Sequence, residues 1–237
     1  MKIQTLTIAI PAYNEESTLE DVVQTIIHTL DQLDIQYEII VVNDGSQDRT
    51  GLVLDSLAKK YPLVKAIHHT HNKMIGAAFL SALHHSQGSH IMLIPVDNPL
   101  SSNIFLQFIE SAKDTDVVVG YRLQRLGYQS WMTLLSRIYW LFCVLMFQVK
   151  LKDITWICMY DRLKIEDLSL ISYGIAIFPE ILVKAKKRGL KIVEIECPMI
   201  ARRVGKATVS KISRILHLFF ETLYLWGHLH FGKWQIK

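Results

Sequence analysis

Polar side chains able to bind a charged ligand follow five short apolar segments of this chain. They lie in the sequences PAYNEE (11–16), NDGSQD (43–48), HN (71–72), PVDN (95–98) and GYR (120–122). Carboxylate and amide oxygens accept hydrogen bonds and bind hard cations, and arginine holds phosphate through paired hydrogen bonds. Turns also favour Asn, Asp and Gly, but an acid, amide or arginine at successive segment ends exceeds what turns require. We therefore predict one polar binding site.

The hydrophobic pattern predicts the elements that position these residues. A capping box of Ser17 and Glu20, followed by apolar residues at helical spacing, predicts a first helix reaching Leu33. Short β-rich segments between helical patterns predict strands at Leu6–Ile10, Glu38–Val42, Val64–His68, Ile91–Ile94 and Val117–Val119. Strands alternating with helices form a mostly parallel sheet covered on both faces, and ligands bind at the carboxyl ends of its strands.

Composition and absent motifs narrow the class of protein. Half of the 237 residues are apolar, which predicts one sizeable globular domain. The cysteines, Cys143, Cys158 and Cys197, are too far apart for a zinc site and odd in number, which favours a reducing compartment. No Gly-x-Gly, Gly-Lys-Ser/Thr or Gly-x-Ser-x-Gly sequence occurs, which disfavours dinucleotide-binding, P-loop and α/β-hydrolase enzymes. Thr5 to Tyr13 is predicted to be a strand rather than a secretion signal.

Charge is distributed unevenly along the chain. Residues 1–150 hold 11 Lys and Arg against 14 Asp and Glu, whereas residues 151–237 hold 15 against 8. The basic half is suited to phosphates, an anionic membrane or nucleic acid, although a solvated face is the simpler explanation for any single lysine. Since no nucleic-acid-binding motif occurs, we expect no nucleic-acid partner.

Several segments resemble a known family in both sequence and order. They are IPAYNEESTLEDVV, IIVVNDGSQDRT, HNKMIGAAFLSAL, IMLIPVDN, DVVVGYR, LKD and ARRVGKATVSK. The chain resembles inverting family 2 glycosyltransferases with the GT-A fold, and most of all the branch of dolichol- and polyprenyl-phosphate sugar transferases. The resemblance covers about residues 3–211. It implies an α/β, GT-A domain with a mostly parallel sheet over residues 1–211, followed at 212–237 by an amphipathic helix.

The resemblance assigns one group of residues to the nucleotide-sugar donor. In the family the first turn and the NDGS loop bind base and ribose, which implies roles for Pro11, Tyr13, Asn14, Glu15 and Asp44. Asn14 as a helix cap and Asp44 as a turn residue are the structural alternatives.

The next segment departs from the family pattern. Asn72 and Gly76 match a loop in which a small residue lets a helix approach the nucleotide, but Lys73 stands where a glycine is usual. His68, His69 and His71 are interpreted as ordinary strand-end histidines rather than as metal ligands.

Asp97 corresponds to the last acid of the family's Asp-x-Asp motif, which holds Mg²⁺ or Mn²⁺ against the donor diphosphate. One carboxylate suffices when the diphosphate and waters supply the other ligands. Pro95 replaces the first acid, and Pro99 stands where many relatives have a glutamine. The resemblance therefore predicts Asp97 as a catalytic residue and metal ligand at a reduced motif.

Four residues are assigned to diphosphate and acceptor. Arg122 suits a bidentate grip on phosphate, with Arg125 as a weaker candidate. Asp153 matches a family acid that faces the acceptor. It would act as the general base if the acceptor is a hydroxyl, and as a positioning group if the acceptor is a phosphate. Arg202 and Lys206 match a basic loop that neutralises the leaving diphosphate.

Two apolar segments raise the question of a membrane. Ile138–Val149 is shorter than the roughly 20 residues that span a bilayer, which predicts a core or interfacial helix. Ile212–Trp234 is rich in Leu, Phe, Tyr and Trp and predicts a helix lying in the interface, with core packing as the alternative. The resemblance favours a protein peripheral to the cytoplasmic face of a membrane.

Together these features predict an inverting transfer of a hexose from a UDP- or GDP-sugar to a polyprenyl phosphate. The phosphate oxygen would attack the anomeric carbon while Asp97, its cation and Arg202 stabilise the leaving diphosphate. A transferase with a hydroxyl acceptor and Asp153 as base stays open. So does a catalytically weakened nucleotide-sugar-binding or regulatory homologue, which the substitutions at Lys73, Pro95, Pro99 and Ala207 would suit.

Overall fold

The computed structural model describes residues 5–123, 130–198 and 212–231. Its strands are β1 (Thr5–Ala12), β2 (Gln36–Asn43), β3 (Val64–His68), β4 (His90–Leu93), β5 (Val117–Tyr121), β6 (Cys158–Asp161) and β7 (Ile192–Glu196). They form one sheet in the order β3-β2-β1-β4-β6-β5-β7. Every neighbouring pair is parallel except the two that β6 makes with β4 and β5. The predicted mostly parallel sheet is confirmed.

Helices connect the strands. They are α1 (Leu19–Asp31), α2 (Thr50–Lys60), α3 (Met74–His85), α4 (Ser102–Ser111), α5 (Ser130–Phe147), α6 (Arg162–Glu166), α7 (Ile177–Lys187) and α8 (Ile212–Phe231). The α/β class is thereby confirmed, and each of the five predicted strands is present with bounds that differ by no more than two residues at either end.

The sheet is covered on both faces, which explains its nearly continuous apolar strands. Successive side chains of a strand point to opposite faces. Accordingly Ile8 and Ile10 of β1 belong to one buried cluster, whereas Ala9 belongs to another. The same alternation separates Ile39 from Ile40 in β2. Two hydrophobic cores therefore hold the strand ends in place.

The predicted capping box at the start of α1 is wrong. The residue before α1 is Thr18, and no side chain caps the helix. The Glu15 carbonyl instead accepts the backbone N–H groups of Thr18 and Leu19, at 3.1 and 2.9 Å. A one-turn extension of backbone bonding thus replaces the side-chain cap expected from Ser17 and Glu20.

Helices α5 and α8 pack against one another. The Tyr139 hydroxyl lies 2.9 Å from Thr222 Oγ1, and the Phe142 and Phe219 rings are 5.3 Å apart. Leu225 of α8 is fully buried in the same cluster as β2 and β4 residues. The division of the chain at residue 211 stays a prediction. Among the described residues, no helix is both long and apolar enough to cross a membrane.

Candidate functional site

The loops after β1 and β2 are joined by hydrogen bonds that begin with Asn14. Its backbone N–H donates to Ser46 Oγ at 3.0 Å, and its side-chain oxygen accepts the Gln47 N–H at 2.8 Å. The Glu15 N–H donates to Thr50 Oγ1 at 2.8 Å. Asn14 adopts a φ of 56°, in the left-handed region that asparagine tolerates better than most residues. Asn14 therefore fixes the two loops relative to each other.

Asp44 lies where β2 ends, between the β1 end and the loop after β3. Its N–H donates to the Ala12 carbonyl at 2.8 Å, and its carboxylate oxygen Oδ1 accepts the Lys73 N–H at 2.8 Å. The same oxygen lies 2.7 Å from Nδ1 of His69. Asp44 is 4 % exposed. A buried acid with this many donors is held in a single orientation.

Gly45 allows the loop after β3 to approach. Its φ is 70°, and a Cβ built there would lie 2.3 Å from the His71 backbone carbon. Only glycine fits such a left-handed, crowded position. The sequence indicated a turn here, and the structure adds that the turn admits the residues 71–73 beside Asp44.

His69 is the functional candidate that sequence reasoning passed over. Its Nδ1 contacts Asp44, its Nε2 lies 2.9 Å from Ser81 Oγ of α3, and its side chain is 6 % exposed. The interpretation that His69 is not a metal ligand stays a prediction, and the structure adds that its side chain is buried against Asp44. The sequence signal that could have indicated this contact is the position of His69, one residue past β3. Because β3 pairs in register with β2, that position is level with the residue after β2, which is Asp44.

In the next loop, the residue with the left-handed backbone conformation typical of glycine is Met74 rather than Lys73. Met74, the first residue of α3, has a φ of 74°, whereas Lys73 has a φ of −108°. The Asn72 side-chain oxygen accepts the Met74 N–H at 3.2 Å, and Asn72 itself is exposed. The Gly76 backbone lies against residue 173, where an added Cβ would be 2.5 Å from the Tyr173 carbonyl carbon.

Asp97 lies in a turn beyond β4 and is half-buried. The Ile94 N–H still pairs with the Ala9 carbonyl of β1 at 2.9 Å, and the Asn98 N–H closes the turn on the Pro95 carbonyl at 3.1 Å. Asp97 therefore follows the central strand pair at the same edge as Asn14 and Asp44. Pro95, which replaces the family's first acid, supplies the carbonyl on which this turn closes.

Arg122 and Asp153 form a buried ion pair at the β5 end. Arg122 Nε donates to Asp153 Oδ2 at 2.7 Å and Nη2 to Oδ1 at 3.1 Å, a bidentate arrangement. Their side chains are 3 % and 2 % exposed. The guanidinium also lies 4.2 Å above the Trp156 ring. The bidentate grip expected on a phosphate is made to Asp153, and the part of either residue in catalysis stays a prediction.

Glu180, in the first turn of α7, is a fully buried acid. Its carboxylate accepts the N–H groups of Ile171 and Ser172 at 2.9 and 2.7 Å, and Lys184 Nζ lies 2.5 Å from it. The acid thereby ties the loop before α7 to the helix.

The remaining predicted residues divide into two groups. Pro11 and Tyr13 are half-buried at the β1 end, with Pro11 in register with Val42 of β2. Arg125, Arg202 and Lys206 lie outside the described residues. Within residues 5–123, 130–198 and 212–231, no group of three or more His, Cys, Asp and Glu side chains could hold a metal ion.

This arrangement matches a family of known proteins. The model of Glycosyl transferase family 2 matches residues 7–167. The chain belongs to this family, as the motifs indicated.

Curated relatives match about half of the chain. An uncharacterized glycosyltransferase, YkcC of Bacillus subtilis, is 32% identical over 51% of this chain and 38% of its own. The dolichyl-phosphate beta-glucosyltransferase ALG5D of Trichomonas vaginalis is 31% identical over 48% and 38%. The dolichol-phosphate mannosyltransferase of Pyrococcus furiosus is 32% identical over 52% and 34%. The match thus spans little more than a third of each relative, and the predicted resemblance to this branch is confirmed.

Solved structures confirm the predicted GT-A fold. Glucosyl-3-phosphoglycerate synthase from Mycobacterium tuberculosis, in complex with Mn²⁺, UDP and glucosyl-3-phosphoglycerate, superposes with a TM-score of 0.72 over 95% of this chain and 80% of that one, at 18% identity. The same enzyme with Mg²⁺ and UDP gives a TM-score of 0.71 at 17% identity, over 95% and 80%. At this identity the likeness concerns the fold.

Proposed function

We propose that this protein transfers a hexose from a UDP- or GDP-sugar to a polyprenyl phosphate at the cytoplasmic face of a membrane. The donor half of the proposal rests on the family and on the strand-end residues. Asn14 and Glu15 join the loops beside Asp44, and Asp97, which follows β4, lies on the other side of β1 from Asp44. Pro11, Tyr13 and Asn72 complete the proposed nucleotide site at the same edge of the sheet.

The observation that carries the acceptor is an apolar surface on two helices. Among the described residues, sixteen large hydrophobic side chains are exposed, and ten of these lie on α5 and α8. Those of α5 repeat at spacings of three and four residues, and α8 contributes the other five. They are Trp131, Leu134, Ile138, Leu141, Leu145, Leu216, Phe220, Leu223, Tyr224 and Phe231, here called the α5–α8 apolar face.

The two rows of side chains adjoin. Phe142 of α5 contacts Phe219 of α8 with ring centroids 5.3 Å apart. Residues three or four positions apart are neighbours on a helix surface. Ile138 and Leu145 therefore flank Phe142, and Leu216 and Leu223 flank Phe219 in the same way. One continuous surface results, wider than a single helix.

The charges beside this face favour a lipid surface. Helix α5 has no acidic residue, and its Arg137 is exposed, as is Lys150 just beyond its end. The acid of α8, Glu221, is directed to the Gly174 N–H at 3.1 Å. Interfacial helices combine an apolar face carrying Trp or Tyr with basic residues that attract anionic lipid. A polyprenyl phosphate is itself an anionic lipid, so the same face would bring enzyme and acceptor together.

The geometry at Asp153 favours a phosphate over a hydroxyl acceptor. Both carboxylate oxygens are engaged by Arg122, so abstraction of a hydroxyl proton would first require that ion pair to open. A phosphate is already anionic and needs no base. In this proposal Arg122 and Asp153 position the acceptor side, and Arg202 and Lys206 balance the charge of the leaving diphosphate.

The Asp97 side chain suits a divalent cation because it offers hard oxygen donors in a half-buried turn at this edge. Bound there together with the donor diphosphate, Mg²⁺ or Mn²⁺ would neutralise part of the charge that develops on the leaving group. Asp97 itself would orient the diphosphate end of the donor.

Turnover is tested with radiolabelled UDP- and GDP-hexoses and an acceptor panel of polyprenyl phosphate in vesicles and 3-phosphoglycerate. We expect labelled lipid that is lost on chelation and in Asp97→Ala. Asp34→Ala, an exposed acid in the loop before β2 at the opposite edge, is the matched control and should retain activity. Nucleotide-sugar binding without transfer to either acceptor would favour the weakened homologue, and transfer to 3-phosphoglycerate alone would reject the lipid acceptor.

Membrane binding is tested by flotation with anionic vesicles. Leu141 and Leu145 are 50% and 66% exposed, and full burial of a leucine contributes about 1.5–3 kcal/mol. Scaled by these exposed fractions, their double replacement by serine should lower the partition coefficient by about 20- to 300-fold. Leu52→Ser with Leu106→Ser changes two exposed leucines elsewhere and should leave binding unchanged. If the protein does not bind vesicles but elutes as a dimer, the α5–α8 apolar face is a contact between two copies of this chain.

A further inference from the structure

Hydrogen bonding at Asp44 is asymmetric. Oδ1 accepts the Lys73 N–H at 2.8 Å and lies 2.7 Å from His69 Nδ1. No described residue makes a hydrogen bond to the other oxygen, Oδ2. A carboxylate oxygen offers about two acceptor positions. Oδ1 is therefore saturated by the protein, and Oδ2 is the oxygen that can accept hydrogen bonds from a ligand.

His69 is held in the position that saturates Oδ1. Its backbone N–H donates to the Asn43 carbonyl at 2.9 Å, and its Nε2 lies 2.9 Å from Ser81 Oγ. A carboxylate oxygen accepts hydrogen bonds, so Nδ1 of His69 is the donor to Oδ1. With its side chain 6% exposed, the imidazole has little freedom to turn away.

We propose that His69 is a specificity-determining residue that makes the base site accept uracil in preference to guanine. The inference rests on the proposed function, because it assumes that Asp44 meets the base of a nucleotide-sugar donor. His69 acts through Asp44 as a positioning residue and need not touch the nucleotide itself.

The discrimination follows from the donor patterns of the two bases. Uracil presents one ring N–H between two carbonyl oxygens, which a single carboxylate oxygen satisfies. Guanine presents two adjacent donors, its ring N–H and its exocyclic amino group, which match the two oxygens of a carboxylate in a bidentate pair. With Oδ1 saturated by His69 and Lys73, one guanine donor would lose its partner on entering the site. A donor left unsatisfied on burial weakens binding substantially.

The test measures dissociation constants of UDP and GDP for the purified full chain by calorimetry, with Mg²⁺ present. For the unmodified protein we expect UDP to bind at least about tenfold more tightly than GDP. His69→Ala removes one donor from Oδ1 and should reduce this ratio toward one. His69→Asn places an amide N–H close to the position of Nδ1 and should restore most of it, whereas loss of packing alone would leave the ratio unchanged.

The outcomes separate the inference from the function on which it rests. Equal or tighter binding of GDP by the unmodified protein overturns the uracil preference and leaves the transferase proposal standing. Binding of neither nucleotide overturns both. If His69→Ala fails to fold, Ser81→Ala replaces it: freeing the ring at Nε2 should lower the UDP-to-GDP ratio in a folded protein, and an unchanged ratio counts against the role of His69.

Discussion

The buried pair of Arg122 and Asp153 makes a quantitative prediction that separates a structural role from a chemical one. Their side chains are 3 % and 2 % exposed, so solvent screens the pair very little. Removing one partner of a buried ion pair destabilises a protein by about 3–5 kcal/mol because the other charge stays buried. Asp153→Asn removes the negative charge and one of the two acceptor oxygens that face the guanidinium, while Trp156 and Thr155 stay in contact with it, and we expect a loss in this range.

Arg122→Met should be less damaging than Asp153→Asn. The Asp153 carboxylate would still accept the Thr155 N–H at 3.1 Å and keep part of its hydrogen bonding. The double variant Arg122→Met/Asp153→Asn removes both charges, and we expect it to be more stable than Asp153→Asn by about 2 kcal/mol. The coupling between the two positions is the quantity of interest.

Urea unfolding followed by circular dichroism measures these differences as free energies of unfolding. A loss of 3–5 kcal/mol corresponds to a decrease in melting temperature of roughly 6–20 °C for a chain of this size. If Asp153→Asn unfolds within about 1 kcal/mol of the unmodified protein but no longer transfers sugar, the pair is not structural and the reasoning from burial fails.

Three further predictions concern strain, protonation and thiols. Because Met74 has a left-handed φ of 74°, Met74→Gly should be more stable than Met74→Ala by about 1 kcal/mol in urea unfolding. The reverse order of stability would contradict the backbone strain inferred at this residue. Burial lowers the pKa of His90 below 6.5, so the unfolded state binds more protons between the two pKa values; stability should fall as the pH drops below about 6.5, and His90→Gln should show a smaller loss. Burial raises the pKa of Cys143 and Cys158 to about 12 and of Cys197 to about 11, so a thiol reagent at pH 8 should label none of the three before denaturant is added.

Strand β6 is an element that the sequence pattern does not predict. Residues Cys158–Asp161 form a strand that runs antiparallel to β4 and β5. The sequence pattern predicts strands where they alternate with helices. Strand β6 instead lies between β4 and β5, which are distant from it in the chain. Its apolar residues alone do not distinguish it from a buried loop or helix. Pairing with residues of β4 that lie 67–71 positions earlier in the chain, and with residues of β5 that lie 39–43 positions earlier, makes it a strand.

The position of the polar residues at the strand ends could be predicted from the sequence, whereas their hydrogen bonds could not. The acids and amides after β1, β2 and β4 lie at one edge of the sheet, as the position of parallel strand ends requires. The burial and the hydrogen-bond partners of His69 and Glu180 cannot be read from a local sequence pattern. In the structure His69 contacts Asp44, and the Glu180 carboxylate accepts backbone N–H groups of the loop before α7.

The sequence by itself determined the α/β class, the five strands with a polar residue at or beyond each end, and the family, because these depend on local periodicity and on short motifs. Tertiary structure alone decided which oxygen of Asp44 is hydrogen-bonded by His69 and Lys73, that Arg122 pairs with Asp153, and that α5 packs against α8. Each of these depends on atoms from residues distant in the chain that meet only when the sheet is assembled, and no local pattern records such meetings.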